Sequence, residues 1–392
     1  MSVIPVVGVR AQDPSDDAAR LARLHFGPLA FNPSIALTNF GVDTNVFNEL
    51  EHPKQDFTAT VSPRGEFWLR LGKGRLSGNT RLDYVYFGRY TSERAVNTYN
   101  TFRAELRMGR ITPYVSEAFL NARERPGFEI DARSRRLENT VTLGADAPVL
   151  PHLTLGFAAW RTNVQFDAAE VFAGSSLSDV LNRTADGLRA SARLNITPYT
   201  TVVLLAEAQR DRFPVSRDRD SDSVRVMPGV EFNAFALVSG TASVGFRKYD
   251  ALGTRSRDFR GVVGSIDLGY TFLTSTRFSV RADRDLAYSQ EILEPYYLFS
   301  ALGATLTHRV STKWDLQATS GAQRLAYQGI GSGQTIKDGR LDAVNLLGGG
   351  GGYRFPSGLR LGLNIDRYRR RSDRDVRDYT GFRAGISVTH VN

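Results

Sequence analysis

Arginines and carboxylates recur at alternate positions within otherwise apolar segments of this chain. A guanidinium and a carboxylate can neutralise each other as a structural ion pair. Facing charges of both signs can at the same time create a transverse field that sets ion preference, or form hydrogen bonds with sugar hydroxyls and carboxylates. Both interpretations stay open on spacing alone. The residues concerned are Arg189, Arg193, Arg247, Arg281, Arg360, Arg383, Glu207, Glu231, Asp267, Asp283 and Asp366.

The segments that carry these charges have the period of β-strands. Between Val262 and Phe272, the even positions are almost all apolar and the odd positions include Ser265 and Asp267. A period of two predicts a strand with one apolar and one polar face. Segments 188–196, 202–211, 359–366 and 382–389 repeat the pattern. The charged side chains are therefore expected on a single face of a β-sheet.

Short and long connections alternate along the chain. The short ones are 72–74, 109–110, 149–152, 197–199, 237–239, 273–276, 311–313 and 355–358, and the long ones include 122–134, 166–182, 213–223 and 328–340. An antiparallel barrel of the bacterial outer membrane has this asymmetry, with short periplasmic turns and long extracellular loops. A soluble β-sandwich has no reason to sort its loops by length onto opposite ends.

The alternation predicts an all-β fold, a single antiparallel transmembrane β-barrel of about 18 strands over residues 29–392. Barrels of this size enclose an aqueous channel. Aromatic residues lie near the ends of the apolar faces, as in interfacial girdles: Tyr84, Tyr86, Tyr90, Tyr199, Tyr270, Phe272, Trp314, Tyr353 and Phe355. The strands are expected to begin near residues 31, 55, 75, 98, 111, 135, 153, 183, 200, 222, 240, 259, 277, 295, 313, 340, 359 and 378.

Composition excludes several classes of protein. The chain has no cysteine, which rules out disulfides, a cysteine nucleophile and a cysteine-ligated metal. No apolar run approaches the roughly 20 residues of a spanning helix. The net charge is +9, but the arginines are spread over most strands and no nucleic-acid-binding motif accompanies them. We therefore expect no nucleic acid partner.

The N-terminal residues precede the strand pattern. Residues 1–11 resemble a signal-peptide remnant, because an apolar run ends in Val9-Arg10-Ala11 before Gln12. Residues 12–28 are interpreted as a periplasmic segment. Within it, residues 15–26 are expected to form a tail, with a short helix as the alternative.

Catalytic and metal-binding patterns are weak, so the sequence predicts no enzyme, no catalytic residue, no metal and no cofactor. The five histidines share no metal-ligand spacing. Asp218, Asp220 and Asp222 are interpreted as part of a polar outer loop, with weak calcium binding as the alternative, because the glycine and closing glutamate of a calcium loop are missing. The glycine run 348–352 lies in a predicted strand, where glycines mark bulges, bends or close approach of other groups.

Several short motifs resemble those of the outer-membrane beta-barrel porin 2 family. They are Asp43-Thr44-Asn45-Val46-Phe47, Glu129-Ile130-Asp131 with Arg133, Arg135 and Arg136, Asp220-Ser221-Asp222-Ser223, Pro228-Gly229-Val230-Glu231-Phe232, Ser239-Gly240 and Val244-Gly245-Phe246-Arg247. The resemblance covers residues 29–392 and implies an outer-membrane barrel with no established catalytic residues to carry over. Similar barrels resemble components encoded beside polysaccharide export systems.

These observations predict a porin-like channel in the bacterial outer membrane for passive diffusion of small hydrophilic or anionic solutes, lined by the eleven charged residues above. One alternative is the barrel component of an exopolysaccharide or capsule export system, which would add polysaccharide export proteins as partners. An outer-membrane barrel enzyme is the alternative from another class. Expected partners are outer-membrane lipids, lipopolysaccharide and the barrel assembly machinery.

Overall fold

The computed structural model describes residue 19 and residues 22–233, 236–253, 256–329 and 339–390. Its strands are β1 (Leu24–Phe26), β2 (Leu29–Asp43), β3 (Asp56–Leu71), β4 (Gly74–Phe87), β5 (Ala95–Leu106), β6 (Thr112–Glu124), β7 (Ser134–Leu150), β8 (Leu153–Phe166), β9 (Val171–Phe172), β10 (Ser175–Ser176), β11 (Arg183–Thr197), β12 (Thr200–Arg212), β13 (Ser221–Phe232), β14 (Val238–Ala251), β15 (Phe259–Phe272), β16 (Thr276–Tyr288), β17 (Tyr296–Arg309), β18 (Trp314–Gln328), β19 (Leu341–Arg354), β20 (Leu359–Ser372) and β21 (Tyr379–His390).

Helical structure in the described residues is confined to short pieces. One α-helix, α1, covers Leu177–Leu181, and 3₁₀ turns occur at Thr91–Glu93, Arg217–Arg219 and Asp375–Arg377. Within these ranges, no helix has the length and apolar character needed to cross a membrane.

Eighteen of the strands form one closed antiparallel barrel, which confirms the predicted fold class. Each long strand pairs with the next, β8 pairs with β11, and β21 closes the ring against β2, where Arg383 lies opposite Asp43. Every barrel strand begins within three residues of its predicted position. The short strands β9 and β10 pair only with each other, inside the connection between β8 and β11.

In the segment before the barrel, residue 19 is helical, in line with the short-helix alternative, whereas the end of the segment is a strand. Residues 24–26 form β1, which folds back on β2 through a tight turn, with Leu24 opposite Phe31. Gly27 has a φ of +58°, which suits that turn. Residues 1–18, 20 and 21, which carry the rest of the tail and the signal-peptide prediction, lie outside the described residues.

The outer face of the barrel is apolar. On β20, Leu361, Leu363 and Ile365 are 43%, 56% and 54% exposed, as expected for side chains that contact lipid. Aromatic side chains cluster at one end of this face, where Trp314 packs edge-on against Tyr353 and Tyr353 against Phe355. These rings match part of the predicted girdle.

The two ends of the barrel differ in their connections. At the end we call the turn end, neighbouring strands are joined by two to five residues. At the opposite end, which we call the long-loop end, the connections have six to sixteen residues. Most buried apolar side chains of the molecule also lie near the long-loop end, including Val46, Phe87, Ile130, Phe166, Phe213, Tyr249, Tyr297, Tyr327, Tyr368 and Tyr379. The core is therefore a cap at one end and not a filling along the whole barrel.

Candidate channel interior

Charged side chains occupy the inner face of the wall, opposite the exposed apolar residues. On β20, Arg360, Asp366 and Arg370 alternate with the exposed leucines and isoleucine. Several inner side chains also bridge strands that are not neighbours: Arg247 on β14 reaches Asp285 on β16 at 2.7 Å, past β15. Contacts past a neighbouring strand indicate the concave, inner side of a barrel, because side chains that point inward converge.

A network of four ion pairs runs along the inner wall from β11 to β16. Glu207 lies 2.6 Å from Arg189 and 2.7 Å from Arg225. Arg225 also lies 3.2 Å from Asp285, which pairs with Arg247. Glu207 is only 3% exposed, so two guanidiniums are needed to offset the desolvation of its carboxylate. The network ties five strands together by side chains in addition to backbone hydrogen bonds.

The other predicted arginines are paired as well. The closest separations are 3.3 Å for Arg193–Glu231, 2.6 Å for Arg281–Asp267, 2.6 Å for Arg360–Asp315 and 2.7 Å for Arg383–Asp43. Asp283 instead accepts a hydrogen bond from the hydroxyl of Ser265 at 2.7 Å. The ion-pair interpretation left open by the sequence is thus what the geometry shows for all six arginines.

Several members of these networks lie outside the predicted set of eleven residues. Asp43, Arg225, Asp285 and Asp315 complete the pairs, and Arg103 joins Glu105 and Asp146 at 3.1 and 3.3 Å on a further part of the wall. All of them lie within strands, at positions that the alternation of apolar and polar residues assigns to the charged face. Which arginine meets which carboxylate depends on register and strand order, which the sequence does not display.

The glycine run of β19 makes room for inner side chains of β20. A Cβ atom added at Gly348 would clash with the carboxylate of Asp366, and one at Gly352 would clash with the guanidinium of Arg360. Of the roles predicted for this glycine run, close approach of other groups is the one that agrees with these contacts. Asp366 lies across from Arg383 in the β20–β21 pairing, so these side chains share one shallow inner hollow with Asn364.

The connection between β6 and β7 crosses the interior at the long-loop end. We call residues 125–133 the crossing loop. Arg370 on β20 donates to the carbonyl oxygen of Phe128 at 2.5 Å and pairs with Asp131. Glu129 accepts hydrogen bonds from the Ser289 hydroxyl at 2.5 Å and the Gln290 amide at 2.9 Å, in the loop between β16 and β17. The crossing loop therefore bonds to walls that lie far from its own strands.

Charged groups of the crossing loop are held out of water. Burial raises the pKa of Glu129 to about 7, although hydrogen bonds from Ser289 and Gln290 and the charges of Arg377 and Arg340 act in the opposite direction. Burial likewise lowers the pKa of Arg133 to about 10. Both shifts follow from the packing of the loop into the interior.

A buried cluster of arginines and carboxylates anchors the crossing loop to the barrel wall. Arg340 and Arg370 lie 2.5 and 2.6 Å from the same oxygen of Asp342, and Asp342 is fully buried. Arg340 also donates to the Tyr327 hydroxyl at 3.0 Å. Tyr327 packs against Tyr297 with ring centroids 5.2 Å apart, and this ring pair contacts Phe128 of the crossing loop.

A second apolar contact holds the other side of the crossing loop. Ile130 packs in a buried cluster with Val164, Phe166 and the helix α1, whose residues Leu177, Val180 and Leu181 face it. Ser176 caps this helix by accepting a hydrogen bond from the Asp179 amide at 3.3 Å. The motif Glu129-Ile130-Asp131, noticed in the sequence only as a family resemblance, is thus the centre of the cap.

Among the described residues, no group of three or more histidine, cysteine or acidic side chains is positioned to hold a metal. Asp220 accepts the Phe213 amide at 2.7 Å, and Asp222 pairs with Arg212 at 2.7 Å, so the aspartates of the predicted outer loop serve separate partners. His308 contacts the Thr276 hydroxyl at 2.8 Å on the outer face, away from the interior.

One solved porin structure indicates the same fold as this chain. A BenF-like porin from Pseudomonas fluorescens Pf-5 has 11% sequence identity, with 93% of this chain and 99% of that chain covered and a TM-score of 0.51, which indicates a common fold. The outer membrane protein opdK from Pseudomonas aeruginosa has 10% identity, coverage of 92% and 98%, and a TM-score of 0.46. No curated protein sequence matches the chain.

A family match covers most of the barrel. The family described as "Putative beta-barrel porin 2" matches residues 132–392, which include the strands of the ion-pair network from β11 to β16 and the anchoring arginines of β20. This agrees with the resemblance drawn from the sequence motifs and with a location in the bacterial outer membrane. The chain belongs to the beta-barrel porin 2 family.

Proposed function

We propose that this barrel is a channel for passive diffusion of small hydrophilic solutes, with a weak preference for anions. The observation that carries the proposal is the inner wall, where charges of both signs lie in fixed pairs on strands that enclose a space. Pairing neutralises most of the charge, so the wall is hydrophilic without holding one ion tightly. The net charge of +9 supplies the small bias toward anions.

The crossing loop sets where such a channel is narrowest. Its contacts with Arg370, Ser289 and Gln290 place it across the interior at the long-loop end. We propose that solutes pass between this loop and the charged wall. The proposal places the long-loop end outside the cell, as the connection lengths favour.

Conductance of the purified protein tests the proposal. The barrel, shown to be folded by its heat-modifiable migration in gels, should give stepwise currents in planar lipid bilayers and should let small sugars into liposomes. A folded barrel that gives neither current nor sugar entry would contradict the channel. That result would identify the crossing loop as a plug and would favour the polysaccharide-export alternative.

A further inference from the structure

Four arginines stand on the outer face near the long-loop end. Read from the turn end, the outer positions of β20 are Leu359, Leu361, Leu363 and Ile365, followed by Arg367, Arg369 and Arg371. Arg324 on β18 joins them, and all four are exposed. We call these four residues the arginine comb. Because it begins where the apolar stripe ends, it lies at the level of lipid headgroups.

The arginine comb forms one patch. Arg324 lies opposite Ala343 on β19, and Ala343 lies opposite Arg371 on β20. The backbones of Arg324 and Arg371 are therefore two strand spacings apart, roughly 10 Å. Their long, flexible side chains can span this distance, so that both guanidiniums can contact the same ligand group. The residue directly between them is Ala343, whose small side chain does not separate the two guanidiniums.

The arginine comb lacks carboxylate partners among the residues that the structure describes. The one contact found for it is Arg367 over the Phe382 ring, at 5.8 Å. Two other outer arginines near this end do pair with carboxylates: Arg161 with Asp186 at 2.6 Å, and Arg212 with Asp222 at 2.7 Å. The comb is thus a place where positive charge on the lipid-facing surface is left uncompensated.

We propose that the arginine comb binds the phosphate groups of a phosphorylated glycolipid in the outer leaflet of the membrane. Guanidiniums bind phosphate oxygens in pairs of parallel hydrogen bonds, and several of them suit a ligand with more than one phosphate. In the strand register, Arg369 lies between Asn345 and Thr380. Their amide and hydroxyl groups suit sugar hydroxyls, which favours a glycolipid over a phospholipid.

Lipid binding to the purified barrel in detergent micelles tests this site. Native mass spectrometry would compare three probes: lipid A with two phosphates, dephosphorylated lipid A, and phosphatidylglycerol. The triple variant R367Q/R369Q/R371Q should weaken binding of lipid A roughly 100-fold, since each arginine near a membrane surface contributes a factor of about five. Arg369→Gln alone should weaken it about fivefold, and this single exposed change leaves the barrel strands intact.

A matched control removes three positive charges from another part of the outer face. The triple variant R161Q/R210Q/R212Q changes three outer arginines near the same end, two of them paired with carboxylates, and should weaken binding by less than about threefold. Equal losses in both triple variants would overturn the proposal, as would unchanged binding in the comb variant. Phosphatidylglycerol binding as tightly as lipid A, or no loss on removing the phosphates, would overturn it as well.

Discussion

The guanidinium of Arg370 pairs with Asp131, joining strand β20 to the loop between β6 and β7 on a distant part of the wall. Arg370 is only 1% exposed, and its second nitrogen lies 2.6 Å from Asp342. One side chain therefore links the barrel wall to the loop that crosses the interior. This link supports the cap together with the hydrogen bonds of Glu129 to Ser289 and Gln290 and the two apolar contacts of the crossing loop.

Arg370→Ala should release the crossing loop and raise single-channel conductance. The change removes one ion-pair partner from Asp131 and one from Asp342, which keeps Arg340, and should cost up to about 3–5 kcal/mol, the range for a broken buried pair. Arg369→Ala is the matched control, because Arg369 is the next residue and faces outward. Conductance that stays at the wild-type value in a folded Arg370→Ala barrel would show that the Glu129 hydrogen bonds and the apolar contacts hold the loop without Arg370.

Closure of the crossing loop should weaken as pH rises from about 5 to 8. The pKa of Glu129 is about 7 in the closed loop and 4.5 when free, so the closed form holds a proton that the open form releases. Closure is strongest below the lower pKa and declines until pH passes about 7, by roughly 3 kcal/mol at most. The charged or titratable groups around Glu129 are Arg219, Arg340, Arg377, Tyr297 and Tyr327.

Hydrogen exchange of residues 125–133, corrected for the intrinsic effect of pH, measures this closure. Protection should fall by up to roughly 100-fold between pH 5 and 8 in the wild-type protein. Glu129→Gln should remove most of that dependence and leave a smaller slope from Asp131, whose pKa burial also raises. Glu51→Gln, an exposed change in another loop, is the control. If Glu129→Gln kept the full slope, another group would be responsible.

A charge on the outer face should destabilise the barrel more than one on the inner face. Leu363→Arg should cost about 2–4 kcal/mol, because Leu363 lies within the apolar stripe of β20. Thr319→Arg, at a half-exposed inner position, should cost less than about 1 kcal/mol. Urea or guanidinium unfolding in lipid vesicles gives both values. Equal costs would contradict the assignment of faces.

Ion preference should depend on how the wall charges are paired. Replacing Arg189, Arg193, Arg281 and Arg360 by glutamine leaves carboxylates unbalanced, so the reversal potential in a KCl gradient should move toward cations. Screening at physiological salt acts over about 8 Å, which still leaves wall charges effective in a narrow channel.

The pair of Arg281 and Asp267 offers a matched control for that measurement. Both side chains are well exposed, at 53% and 37%. The double variant R281Q/D267N removes the whole pair and should leave the reversal potential nearly unchanged, whereas Arg281→Gln alone should move it toward cations. A wild-type channel that already prefers cations would contradict the proposed weak anion preference.

The long-loop end should react with an impermeant maleimide on whole cells. Val215→Cys is a suitable probe because Val215 is 63% exposed, and the natural chain has no cysteine to give background. Lys313→Cys at the turn end should react only after the outer membrane is broken. Ser221, in strand β13, is fully buried and would not report on sidedness. The reverse labelling pattern would invert the proposed orientation.

The barrel could be predicted from the sequence because the signals that mark its strands and connections are local. A period of two in hydropathy marks each strand, and connection length marks each end, so strand number and the positions of strand starts follow from segments of about 15 residues. The eleven charged residues are predicted in the same way. The face of the barrel wall on which each one lies depends only on which of its neighbours in the strand are apolar.

The cap and the pairing of charges were decided by the tertiary structure. Glu129 meets Ser289, and Arg370 meets Asp131, only because closure of the ring brings together segments more than 150 residues apart. No hydropathy period or residue spacing in the sequence predicts such contacts. Burial of Glu129, and so its pKa near 7, depends on the same closure. The sequence by itself determined a wall with an apolar and a charged face, whereas the closed ring decided which charges neutralise each other and which loop crosses the space inside.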